Sequence, residues 1–394
     1  MKILHVVPSY LPAIRYGGPV FATHALCAAL TRLGCEVTVF TTNADGSGES
    51  QVPVDTPVVM DGVTVWYFGS AWLRRLYYSP GMALGLRVHC SDINIVHAHS
   101  VFLWPTWAAA RASLRFGVPY IISPRGMLVK DLIAMKSPWL KRAWISLIEQ
   151  RNLTRAAGIH VTSAVEAKEL RRFGFALPRV YEVPNGVATE VNVTGSIELP
   201  SQLAGVFERG RPVILCLGRI NWKKGLDSLI PAMARLPEAV LLIVGNDEEG
   251  YTSKLTALAV REGVADRVIF AGPVYGPAKM ALYRKAAVFA LPSYSENFGN
   301  VVLEAMHEGC PVVVTPEVGA SGIVEASGGG LVTIGEPAAL AAAISRLLSD
   351  AALRADMGRK GMEVVRSQYS WDAVAEKMLE VYRDVIARAG ERRV

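Results

Sequence analysis

Residues 293–311 read SYSENFGNVVLEAMHEGCP, and the way this stretch divides decides the fold. It follows an apolar run at 288–291, VFAL, that has the length and composition of a buried strand. After the Asn-Phe-Gly-Asn turn, Val301, Val302, Leu303, Ala305 and Met306 recur as they would on a helix. Glu296 then lies in the loop between strand and helix, and Glu304 lies on the helix. The first helical turn leaves the N–H groups of Phe298, Gly299, Asn300 and Val301 without intrahelical partners, an end that attracts an anion such as a diphosphate. The two carboxylates would bracket that anion. Taken alone, a capping or solvated Glu296 and a Glu304 on an ordinary polar helix face account for the pair equally well.

Working outward, the same strand-then-helix rhythm fills both halves. Strands are expected at 3–7, 36–41, 63–68, 92–96, 119–122, 158–162 and 180–183, with a helix at 17–33. A mixed Gly, Pro and polar stretch at 188–212 reads as a linker. Beyond it the rhythm restarts with strands at 213–217, 240–244, 268–271 and 311–315 and helices at 226–236, 252–262, 338–348, 351–367 and 371–389. Alternation of this kind implies parallel sheets with right-handed crossovers, which bind ligands at the carboxyl ends of their strands. The expectation is α/β with two doubly wound domains, residues 1–187 and 188–370, and a last helix, about 371–394, long enough to cross back to the first. With 394 residues the chain also exceeds the size at which one core keeps growing.

Composition narrows the function class. The apolar fraction is 51% and the mean hydropathy +0.28, yet no uninterrupted apolar run reaches the roughly 18 residues a membrane span needs. The first residues, MKILHVVPSYLP, lack the pattern of a cleaved signal peptide. The five cysteines at 27, 35, 90, 216 and 310 form no C-x-x-C pair, which fits a reducing cytoplasm. Residues 1–195 carry 19 Lys and Arg against 12 Asp and Glu, while the remainder carries 22 against 23. The basic excess lies in the first half and suggests an anionic partner such as a phosphate-bearing acceptor or anionic lipid; no nucleic-acid reader motif accompanies it. The segment 137–153, SPWLKRAWISLIEQRNL, sets Trp139, Leu140, Ala143, Trp144, Leu147 and Ile148 at helical spacing among Lys136, Lys141, Arg142 and Arg151. That stripe can lie on a membrane surface or pack into its own domain, the commoner outcome.

Several loops at the expected ligand ends carry chemistry. Gly17-Gly18 precedes the first helix, where backbone can approach a substrate closely, although a plain turn uses the same pair. His97 and His99 alternate onto one face; two histidines can bind a metal, but no third ligand is evident in the nearby sequence, so no metal site is expected and hydrogen bonding or acid/base work by His99 is the better reading. In Ser123-Pro124-Arg125-Gly126-Met127, Arg125 offers a grip for a phosphate. In 218–225, GRINWKKG, Arg219 and Lys224 offer two cations at a strand end. This is not a Walker A loop, which would need Ser or Thr after the lysine.

Glu296-x7-Glu304 with Phe298-Gly299 inside it, Gly218-Arg219 followed by Lys224-Gly225, and Pro184-Asn185-Gly186-Val187 together resemble glycosyltransferase family 4, retaining enzymes of the GT-B fold, over nearly the whole chain. The Ser-Pro-Arg-Gly-Met loop and the Ser-Glu-Asn-Phe-Gly-Asn form look like members that build surface polysaccharides on a lipid carrier. The resemblance implies two Rossmann-like domains facing a central cleft. It implies transfer of a hexosyl residue from a UDP- or GDP-linked sugar to a saccharide acceptor, with a nucleotide sugar as co-substrate and no other cofactor or metal; the basic first half and the segment around Trp139 and Trp144 add an expected contact of this cytoplasmic protein with the inner face of the cytoplasmic membrane. Gly18, Arg219, Lys224 and the N–H groups of Phe298, Gly299 and Asn300 would hold the donor diphosphate. Glu296 and Asn297 would hold the donor sugar, Glu304 the ribose, and residues 272–274 would lie by the base. Gly17 and Arg125 fall on the acceptor side, and His99 matches a histidine near the transferred sugar, which with Glu296 makes the catalytic set. Ala188 replaces a frequent Asp and Asn297 a frequent glycine. An epimerase acting on the same donor, or a catalytically silent sugar-nucleotide scaffold, are the competing readings; a dinucleotide oxidoreductase lacks its G-x-G-x-x-G after either first strand.

Overall fold

The computed structural model describes residues 1–135, 138–188, 199–247 and 249–391. Two compact units divide the chain: Met1–Gly186 together with Trp371–Val394, and Val187–Ser370.

The sheet of the first unit grows from Lys2–Val6. On one side it pairs in parallel with Glu36–Thr42, which pairs with Val63–Phe68; on the other it pairs with Ile95–His99, followed by Tyr120–Ser123, Gly158–Val161 and Val180–Glu182. An antiparallel edge strand that the residue pattern did not suggest, Pro57–Met60, closes the far side. The strand expected at 92–96 is displaced: Cys90–Asp92 is a tight turn and the strand is Ile95–His99. His97 and His99 therefore sit within the sheet, and the register sets His97 beside His5. The chain's last helix, Trp371–Glu391, belongs to this unit. Its Val374, Ala375, Met378, Tyr382 and Val385 join a buried cluster with Leu26, Cys27 and Leu30 of the Gly18–Arg32 helix, and Arg32 pairs with Asp372 at 2.6 Å.

The sheet of the second unit repeats the plan with new residues. Val213–Leu217 pairs on one side with Val240–Val244 and then Val268–Ala271, and on the other with Val288–Leu291, Val312–Val314 and Gly330–Val332, all parallel. Val213–Leu217, Val240–Val244 and Val288–Leu291 are buried at every position, as parallel strands covered by helices on both faces must be. The 293–311 stretch divides as expected, with its helix at Asn300–His307.

Two other expectations need correction. The linker region is not one loop, since Ser201–Glu208 is a helix that brings Leu203 and Val206 into the core; residues 189–198 lie outside the described residues. The tryptophan-bearing segment is not one helix with a packed stripe. Pro138–Trp144 runs into a widened turn at Ile145–Glu149, and Gln150–Arg155 resumes the helix. Ile145 is buried but Trp139 is 82% and Leu147 69% exposed, because the wider turn rotates the apolar positions out of one line. Lys136 lies outside the described residues.

Met378 is fully buried between the last helix and the first unit's core. Met378→Ala is expected to lower the stability of that unit by about 2–5 kcal/mol, seen in urea denaturation as an earlier first transition; an unchanged midpoint would show that the last helix contributes nothing to this core.

Candidate functional site

In the second unit the chain reverses direction across the sheet beside Val213–Leu217, so the loops leaving this strand and Val288–Leu291 diverge and leave a crevice at their carboxyl ends. Four loops meet there. Gly225 takes φ +64°, and a Cβ on it would stand 1.9 Å from the Pro292 carbonyl oxygen, so only glycine lets the two loops approach. Tyr294 N–H donates to the Lys223 carbonyl at 2.8 Å, and the Ser228 and Tyr294 hydroxyls lie 2.9 Å apart. Gly319, after the Val312–Val314 strand, donates its N–H to the Glu296 carbonyl at 3.0 Å, and a Cβ there would meet the Asn297 carbonyl oxygen at 2.0 Å. Ile220 N–H donates to the Asn246 carbonyl at 2.7 Å, tying in the loop after Val240–Val244.

This stitching sets Lys224 Nζ 2.5 Å from Glu296 Oε2, with both side chains mostly shielded. The pair stands before the N-terminus of the Asn300–His307 helix, whose cap, Gly299, has φ +89°. Phe298 is buried and its carbonyl accepts from Ala320 N–H at 2.8 Å, which holds the turn against the core. Arg219 is exposed at the mouth of its loop, and Asn297 and Asn300 are half-buried. On the helix, Glu304 Oε2 lies 2.5 Å from Lys279 Nζ and accepts the Tyr283 hydroxyl at 2.9 Å. Burial, with Glu304 beside it, pushes the Tyr283 phenol well above its usual range and keeps it a donor. Lys279 and Tyr283 were not singled out in the sequence. Their signal was an i, i+4 Lys/Tyr pair on the Gly276–Lys285 helix, indistinguishable from surface patterning without the sheet order that brings Glu304 to it.

The first unit has its own reversal, beside Lys2–Val6. Gly17 caps the Gly18–Arg32 helix at φ +67° with open space around it, and Gly18 is exposed. Arg125 stands in a left-handed turn at φ +55°. Its Nε and Nη2 donate to His99 Nδ1 at 3.3 and 3.1 Å, and Nη1 donates to Asn185 Oδ1 at 3.2 Å. The buried Glu166 anchors this turn, accepting Gly126 N–H at 2.6 Å through one oxygen and the Thr162 N–H and hydroxyl at 2.8 and 2.9 Å through the other. Glu149, on the widened turn, accepts Phe102 N–H at 2.7 Å and Trp144 Nε1–H at 2.9 Å, holding the loop that follows His99; burial pushes its carboxyl up.

The third histidine that the local sequence did not offer comes from the neighbouring strand. Among the described residues His5, His97 and His99 have ring nitrogens within 4.8 Å of one another and form a group that could hold a metal ion. Burial, and after it the Arg125 charge on His99, keep His97 and His99 well below the ordinary histidine range. His99 is therefore a neutral imidazole at physiological pH, which counts against an acid/base part.

Residues 17–186 match the family described as glycosyl transferase 4-like domain, and residues 204–364 match glycosyl transferases group 1. The D-inositol 3-phosphate glycosyltransferase of Xylanimonas cellulosilytica is 30% identical, with 93% of this chain and 91% of that protein aligned. This chain is a family 4 glycosyltransferase. An uncharacterized glycosyltransferase of Methanocaldococcus jannaschii is 36% identical over 99% of this chain and all of that one. The crystal structure of Anabaena HepE in complex with UDP and glucose superposes with a TM-score of 0.72 at 22% identity, covering 98% of this glycosyltransferase and 100% of HepE, and the fold is GT-B.

His5 and His160 are both held near pKa 3, against an ordinary 6.5, by burial first and the Arg125 charge second. The unfolded chain takes up these protons below pH 6.5 while the folded chain does not, so stability is unaffected above that pH. Below it, each histidine is expected to withdraw about 1.4 kcal/mol per pH unit, down toward the folded values. Thermal melts should lose midpoint between pH 6.5 and 5, before ordinary carboxylates titrate; a flat profile there would refute the neutral cluster.

Proposed function

We propose that this glycosyltransferase moves a hexosyl residue, with retention, from a UDP- or GDP-linked sugar to a saccharide acceptor, lipid-linked, in surface polysaccharide biosynthesis. The observation that carries the donor assignment is the Lys224–Glu296 pair in front of the Asn300–His307 helix. As the bond from the sugar to the diphosphate breaks, negative charge grows on the leaving phosphate. Lys224, Arg219 and the backbone N–H groups of Phe298, Gly299 and Asn300 are assigned to receive it. Two cations and a helix end supply this stabilisation without a divalent metal. Glu296, paired with Lys224, accepts hydroxyls of the donor sugar together with Asn297, and Glu304, steadied by Lys279 and Tyr283, accepts the ribose hydroxyls.

Retention by a carboxylate nucleophile would need a free carboxylate at the anomeric carbon. Glu296 is committed to Lys224 and Glu304 to Lys279 and Tyr283, which favours a front-face route in which the leaving phosphate oxygen takes the acceptor proton as the new glycosidic bond forms. Gly17 and Arg125 are assigned to the acceptor. His99, neutral and hydrogen-bonded, contributes position and polarity. Peripheral contact with an anionic membrane at its cytoplasmic face is supported by the exposed Trp139 and Leu147 among Arg142 and Arg151; no helix among the described residues is long and apolar enough to cross a membrane.

Lys224→Ala and Glu296→Ala are expected to lower transfer at least about a hundredfold with unchanged unligated melting, and excess chelator to leave wild-type transfer intact. UDP- or GDP-sugars at 100 times their Kd should raise wild-type stability by about 2.7 kcal/mol, a gain both variants lose. Wild-type turnover in either variant, or conversion of donor without acceptor, would refute the assignment. Separately, the protein should bind anionic vesicles at low salt, and Trp139→Ala should weaken this; indifference to such vesicles would remove the membrane reading.

A further inference from the structure

Four buried histidines, a tyrosine and a serine of the first unit form one continuous line. Arg125 donates to His99 Nδ1 at 3.1 Å, and His99 Nε2 lies 2.9 Å from His5 Nδ1. His5 Nε2 lies 3.4 Å from the Tyr382 hydroxyl, which lies 2.7 Å from His97 Nδ1. His97 Nε2 lies 2.7 Å from Ser123 Oγ, which lies 2.6 Å from His160 Nδ1, and His160 Nε2 ends the line 2.9 Å from the Val183 carbonyl oxygen.

Both ends have only one possible polarity. Arginine can only donate, so His99 Nδ1 accepts; a neutral imidazole then carries its proton on Nε2 and donates to His5 Nδ1, and His5 in turn donates from Nε2 to Tyr382. From the other end, a carbonyl can only accept, so His160 carries its proton on Nε2 and accepts from Ser123, Ser123 accepts from His97 Nε2, and His97 Nδ1 accepts from Tyr382. The two deductions meet at Tyr382, which accepts from His5 and donates to His97, the one role left to a hydroxyl between them. Any Nδ1–H tautomer would set two donors against each other in a site where an unmade hydrogen bond costs its full desolvation.

We propose that this directed chain sets the tautomer and orientation of His99, and that Tyr382, on the last helix of the chain, is a positioning residue for it. All six ring nitrogens of His5, His97 and His99 are spent in the chain, and each neutral ring has a single lone pair, already accepting. A metal ion would break at least three links beside the Arg125 guanidinium, so the three-histidine group is a hydrogen-bonded assembly and not a metal centre. Nor does the chain conduct protons. Its terminus is an amide carbonyl, which accepts a hydrogen bond but not a proton, and its head is a guanidinium with none to take. The structural assignment stands independently of the transferase site; only its kinetic consequence rests on the placing of His99 there.

Long-range 15N–1H spectra of histidine-labelled protein, which distinguish Nδ1 from Nε2, test it directly. All four histidines are expected as neutral Nε2–H tautomers at pH 7. Tyr382→Phe keeps the ring and removes the hydroxyl, and His97 and His5 should lose their single-tautomer signature while turnover falls about tenfold at unchanged donor KM. Ser123→Ala, which removes the next hydroxyl, should unsettle His97 and His160 and guards against a Tyr382 variant that fails to fold. An Nδ1–H tautomer at any of the four in the wild type, or one equivalent of zinc retained after dialysis of the zinc-loaded protein, would overturn the chain. Unchanged turnover in a variant whose tautomers have shifted would overturn the positioning role of Tyr382 and leave the Lys224 and Glu296 assignment untouched.

Discussion

Both sheets reverse their strand order beside their first strand, and the chemistry of the molecule depends on that constraint. A parallel sheet that winds outward and then restarts on the other side of its first strand brings together residues from distant parts of the sequence. In the first unit the reversal sets His5 against His97 and His99. In the second it brings the loop holding Lys224 against the loop holding Glu296. The loops diverge because their connecting helices cover opposite faces, so the crevice follows from the winding itself.

The two reversals use the same geometry for opposite electrostatic ends. In the second unit, cations and a helix N-terminus converge on a pair of carboxylates, each already joined to a lysine. In the first unit the Arg125 guanidinium stands among imidazoles that their burial, and after it the Arg125 charge, keep neutral. There the arginine organises its neighbours, and Glu166 and Glu149 hold the loops that carry them.

The last helix belongs to this arrangement as much as to the core. Tyr382 is fully buried, as are Met378 and Val374 around it, but its hydroxyl is also the joint at which the two halves of the histidine chain meet. A segment that closes a hydrophobic face thus also completes a polar network more than two hundred residues away in sequence, which is why neither task was visible in its helical periodicity.

The alternation of strands and helices was legible in the amino-acid sequence, because buried parallel strands must be apolar at nearly every position, and so were the places of Arg219, Lys224, Glu296, His99 and Arg125 at strand ends and of Glu304 on the helix that follows one. The sequence also carried the family, through spaced motifs whose backbone demands few other residues meet. What only the tertiary structure decided is partnership. Glu304 with Lys279 and Tyr283, His99 with His5, and Tyr382 with His97 are contacts across strand and helix neighbours that no local spacing encodes. The edge strand at Pro57–Met60 and the turn at Ile145–Glu149 escaped for the same reason: pairing and packing with distant residues outweigh the weak local preferences on which pattern reading relies.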